Sequence, residues 1–107
     1  MNVLVVSRLG LHTRFISALR RYGVKGIIDY YTVSKEYKNT EDIIKTAEKH
    51  KCKAIAVIAN WSLAVQLLAK GFKPVFVIVP QYFTTTEIVS GRIYVLDGEV
   101  KITAEDV

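Results

Sequence analysis

The chain has 107 residues, half of them hydrophobic, with a single cysteine and a formal net charge of +5. That length suits one domain around one core, and one cysteine excludes an intrachain disulfide framework or a cysteine-rich zinc site. No apolar run approaches the ~18 residues that cross a bilayer, and the first residues lack a signal-peptide pattern, so the expected setting is cytoplasmic with no membrane partner.

The charge is uneven. Residues 1–53 carry eleven Lys and Arg against five Asp and Glu, whereas residues 54–107 carry four against five. A basic half beside a near-neutral half suggests a negatively charged partner, although a solvated basic surface gives the same count. A composition poor in Asn, Gln, Met and Cys and rich in Lys leans toward a thermophilic source.

In chain order, Val3 to Val6 reads as a fully buried strand, because it is apolar without alternation. Leu11, Phe15, Ala18, Leu19 and Tyr22 then recur at helical spacing, with Arg14, Ser17 and Arg21 on the far side and Gly23 as the stop. Lys25 to Val33 reads as a second strand rich in Ile, Tyr, Thr and Val. Thr40 to His50 reads as a second helix, capped by Asn39 or Thr40 and led by Glu41 and Asp42. Lys53 to Ala59 is a third strand. A third helix begins at Asn60 or Ser62 and ends before Gly71. Val75 to Val79 is a fourth strand, bounded by Pro74 and Pro80. Arg92 to Leu96, Asp97-Gly98 and Glu99 to Thr103 read as a hairpin with a two-residue type I′ turn.

The expected fold is therefore α/β: one three-layer Rossmann-like domain with four parallel strands, three helices and a C-terminal antiparallel hairpin. Residues 1–80 form the βαβαβαβ core and residues 81–107 a loop and hairpin tail. Apart from Ser62, Gln66 and Lys70, the third helix is apolar nearly all round. It should be buried on two sides, with Val65 and Leu68 facing either the hairpin or a second copy in a homodimer.

Open parallel sheets bind ligands where the strands end. The first strand-to-helix turn, Ser7-Arg8-Leu9-Gly10-Leu11-His12-Thr13-Arg14, offers Arg8 and Arg14 as phosphate donors, Ser7 as a hydrogen-bonding hydroxyl and His12 as a proton carrier. It matches neither glycine-rich nucleotide fingerprint, and Ser7, Gly10 and Thr13 also read as caps and a turn. Other strand ends supply Tyr31 and Lys35, Asn60 and Trp61, and Tyr82, with Tyr30, Tyr37 and Phe83 adding aromatic surface for stacking. Asn60 reads equally as a helix cap. Cys52, between Lys51 and Lys53, reads as an ordinary buried thiol or as a mildly activated one.

Carboxylates are too sparse at the strand ends for a two-metal nuclease or a phospho-acceptor domain. His12 and His50 lie too far apart for zinc, and nothing implies a cofactor. Three function classes remain. The first is a homodimeric module binding a nucleotide or nucleic-acid segment at the carboxyl edge of the sheet. The second is a metal-independent phosphodiesterase using Ser7 and His12. The third is a structural or regulatory assembly protein with no small ligand.

Overall fold

The computed structural model describes residues 1–34, 39–98 and 102–107. It shows a small mixed α/β domain: a curled sheet of mostly parallel strands with four helices. The elements are β1 (Asn2–Val6), β2 (Gly10–Leu11), α1 (Thr13–Arg20), β3 (Gly26–Asp29), α2 (Tyr30–Val33), α3 (Thr40–Lys49), β4 (Cys52–Ile58), α4 (Trp61–Ala69), β5 (Val75–Phe83), β6 (Glu87–Leu96) and β7 (Ile102–Asp106).

The sheet runs β2-β6-β5-β4-β1-β3, with β7 also on β6. β3, β1, β4 and β5 pair in parallel, and β5–β6 and β6–β7 pair antiparallel. The continuous apolar runs follow from burial on both faces. Leu4, Val6, Ile55, Val57, Val75 and Val77 pack with residues of α3 and α4. Val3, Val5, Ala54, Ala56, Phe76 and Ile78 pack with Phe15, Ala18 and Leu19 of α1. Successive side chains thus meet apolar cover alternately above and below, and no polar face is needed.

The structure departs from the sequence reading at three places. The stretch Lys25–Val33 is not one strand. β3 stops at Asp29, whose carboxylate accepts from Tyr31 N at 3.2 Å and from Thr32 Oγ1 at 2.7 Å, and this cap turns the chain into α2, a fourth helix. Pro80 does not end the fourth strand. β5 continues to Phe83, with the register breaking between Pro80 and Phe83, where a residue lacking an N–H is tolerated. Gly91 makes this possible, since a Cβ there would run into the Val79 carbonyl oxygen.

The tail hairpin is not closed by a two-residue turn at Asp97-Gly98. Leu96 pairs with Ile102, leaving residues 97–101 between the paired ends, of which 99–101 lie outside the described residues. This register sets Glu105 opposite Ile93, where it reaches Arg21 and Tyr22, and Asp106 opposite Arg92 at 2.7 Å. Cross-strand and inter-element charge pairs favour it over the tighter turn. The Arg92 guanidinium holds the Asp106 carboxyl below its usual range. The larger hairpin is β5–β6, so the tail extends the sheet rather than standing apart from it. No helix among the described residues is long and apolar enough to cross a membrane.

Candidate functional site

Because β1, β3, β4 and β5 are parallel, their carboxyl ends share one edge of the sheet. A cavity of about 360 Å³ opens there. Val6, Ser7, Arg8 and Leu9 enter it from the end of β1, Tyr31 from α2, Ile58 from β4, Pro80 and Phe83 from β5, and Ile88 from β6. The walls are apolar except for the Ser7 hydroxyl, the Arg8 guanidinium and the Tyr31 phenol. The Arg8 guanidinium carbon lies 5.4 Å from the centre of the Tyr31 ring, a cation over an aromatic face. Tyr31 meets the Tyr30 ring edge-on at 5.2 Å. A smaller cavity of about 120 Å³ lies on the α1 side of the Ser7–Leu9 segment, reaching Ile16, Ile27 and Asp29.

The turn after β1 is not an open cradle of amides. Leu9 N donates to Ser7 Oγ at 3.2 Å, Gly10 N to Thr86 O at 2.9 Å, His12 N to Ile88 O at 2.9 Å and Arg14 N to His12 Nδ1 at 3.1 Å. These donors tie the turn to β6 and to itself, through the short strand β2. An anion at this edge would therefore be held by side-chain cations rather than by those amides.

The expected site residues divide accordingly. Ser7, Arg8 and Tyr31 come together at the cavity. Ser7, about nine-tenths buried, also donates from Oγ to Leu9 O at 2.7 Å, so its hydroxyl closes its own turn. His12 is the N-cap of α1, its Nδ1 accepting from the Arg14 amide, and no hydrogen bond joins it to Ser7. Arg14 is exposed on the first turn of α1, outside the cavity wall.

Asn60 is the N-cap of α4, its Oδ1 accepting from Leu63 N at 3.1 Å. Trp61 packs on Tyr94 of β6, ring centres 5.0 Å apart, and is not among the residues lining the cavity. Tyr82 is exposed beyond the cavity, and its neighbour Phe83 lines it instead. Tyr30 is fully buried and offers no stacking face. Lys35 and Tyr37 lie outside the described residues. Among the described residues no group of three or more His, Cys, Asp and Glu is gathered that could hold a metal ion.

Sequence reasoning missed Leu9, Ile58, Pro80 and Ile88 as cavity walls. Ile88 reaches the site only because β6 folds back along β5. The apolar alternation Ile88, Ser90, Arg92 against Val89, Gly91, Ile93 is too broken by glycine to announce that strand. Compared with known proteins, the chain matches no family model, no curated protein and no solved structure.

Proposed function

We propose that the protein is a small binding module that takes an anionic, nucleotide-like ligand at the carboxyl edge of its sheet. The observation that carries this reading is the cavity walled by apolar side chains with the Arg8 guanidinium laid over Tyr31 at its rim. Read as a Rossmann-like layout, the strand order β3-β1-β4-β5 reverses direction between β1 and β4. Val6, Ser7 and Arg8 end one of those strands and Ile58 the other. Ligands of open α/β sheets favour the crevice at such a reversal.

A volume of about 360 Å³ is at the small end of ligand sites. It suits one flat ring system. Among the described residues one cation, Arg8, stands in the wall; it suits one anionic group, so a nucleoside monophosphate fits the chemistry better than a polyphosphate. Phosphodiester cleavage has no comparable support, since Ser7 and His12 share no hydrogen bond and the His12 ring caps a helix.

The assembly we propose is a homodimer through the outer side of α4. Val65 is 58% exposed there, and Trp61, Val65 and Leu68 fall on one stripe. Two-fold pairing is the commonest way to cover such a stripe.

The ligand reading is tested by thermal melting with a panel of nucleoside mono-, di- and triphosphates. A ligand at a hundred times its Kd raises the melting temperature by on the order of 10 °C for a domain of this size. Arg8→Ala should abolish that rise while leaving the unliganded melting temperature in place, because Arg8 is exposed. A panel that shifts nothing, or a shift that survives Arg8→Ala, overturns the reading.

A further inference from the structure

The parallel strands also begin together, at the edge opposite the cavity. Lys25 precedes β3, Lys51 and Lys53 flank the start of β4, and Lys73 stands two residues before β5. Backbone bonds hold these starts side by side: Lys25 N donates to Met1 O at 2.8 Å, and Lys73 N to Lys53 O at 3.1 Å. At the usual spacing of neighbouring strands, four such starts make a row about 15 Å long.

The helices return antiparallel to the strands, so their last turns reach the same edge. Arg20 and Arg21 arrive from α1 on one face, and Lys49 and Lys70 from α3 and α4 on the other. All eight cations are exposed, and among the described residues the only ion pair any of them makes is Arg21 with Glu105. They are eight of the fifteen Lys and Arg in the chain; among the described acids, the exposed Glu48 and Asp97 lie at the same edge, so the cations outnumber the carboxylates there without excluding them.

Cations in a last helical turn complement the helix dipole, which accounts for Arg20, Arg21, Lys49 and Lys70. No such account covers Lys25, Lys51, Lys53 and Lys73. They sit on strand starts, and among the described residues none of them makes an ion pair. Exposed like charges at this spacing repel mildly, and an anion laid across them turns that repulsion into attraction.

We propose that this edge binds the phosphate backbone of a nucleic-acid duplex, independently of any ligand in the cavity. Lysine point charges spread along three of the four strand starts suit a line of phosphates. Docking on a lipid surface calls for apolar or aromatic side chains projecting among the cations. The aromatics at this edge turn inward instead: Tyr22 packs on Phe76 at 5.8 Å and bonds Glu105, and Phe72 is buried. Among the described residues this leaves no Phe, Tyr or Trp ring open at this edge for stacking the bases of a single strand. What remains is phosphate contact that positions a duplex without reading its sequence.

The test is fluorescence anisotropy of the full chain with a labelled short DNA duplex of arbitrary sequence, across a salt series. Affinity should fall linearly on a log–log plot, with a slope of about −0.9 per phosphate contacted, so about −3 to −4 for the row. The triple variant Lys51→Gln, Lys53→Gln, Lys73→Gln should bind at least about tenfold more weakly at low salt and flatten the slope by 2 to 3, roughly one per lysine removed. These side chains are exposed, so a melting temperature no lower than that of the parent chain confirms that the variant is folded.

Lys45→Gln removes a charge from the middle of α3 and should leave the slope as it was. The proposal is overturned by any of four outcomes: no duplex binding at low salt, a triple variant with the original slope, a Lys45→Gln effect equal to that of an edge lysine, or binding to phosphatidylserine vesicles or single-stranded DNA in preference to the duplex.

Discussion

Single residues here carry structural duties that look, in the linear chain, like chemistry. Ser7, His12 and Asn60 all sit at strand ends in plausible site positions, yet each commits a polar atom to its own turn or helix cap. Such side chains are made for local backbone bonds, and the spacing that suits a ligand also suits a cap. Cys52 shows the same ambiguity resolved by depth. Two lysines flank it, but the thiol is buried, its Sγ donates weakly to His50 O at 3.8 Å, and burial pushes its pKa up. A buried, protonated thiol is a poor nucleophile. Iodoacetamide should therefore alkylate the native protein at least about tenfold more slowly than the urea-unfolded chain at neutral pH. Equal rates in the two states would mean that Cys52 is not shielded as described.

At the scale of elements, the decisive one is the shortest helix. α2 exists because Asp29 accepts from the Tyr31 amide and the Thr32 hydroxyl, and it turns Tyr31 toward the cavity while Tyr30 plugs the core. β-Propensity alone favours a strand through Ile27, Ile28, Tyr30 and Tyr31, and the cap overrides it. Asp29→Ala should cost about 1 kcal/mol, the usual size of a lost cap. It should also weaken any ligand that needs the Arg8–Tyr31 pair, read as a lower melting temperature together with a smaller ligand-induced rise. An unchanged melting temperature would show that core packing of Tyr30, and not the cap, holds α2.

The whole molecule is polar in a literal sense. An apolar cavity with one guanidinium lies at one edge of the sheet and eight cations gather at the other. A third surface, the outer side of α4, presents Val65 and Trp61 to solvent. If a second copy covers it, Val65→Glu should halve the mass measured by light scattering at micromolar concentration. It should leave the melting temperature of the protomer nearly unchanged, because Val65 makes no core contact, whereas Leu68 packs partly into the core and is a poorer probe. A wild-type chain that already runs as a monomer removes the homodimer from the proposal.

Hydrophobic patterning by itself determined the mixed α/β class, the positions of β1, β4 and the first part of β5, and the three longer helices. Continuous apolar runs, helical spacing and Asn caps are local signals that survive without the rest of the chain. Tertiary structure alone decided where β6 and β7 pair, because register there depends on Glu105 and Asp106 finding Arg21 and Arg92 across 84 and 14 residues. It also decided that Ile88 and Phe83 wall the cavity, that amides of the first turn bond to β6, and that eight cations from both halves of the chain meet at the strand starts. Charge counted along a sequence has no direction until the strands are laid parallel and the helices returned against them.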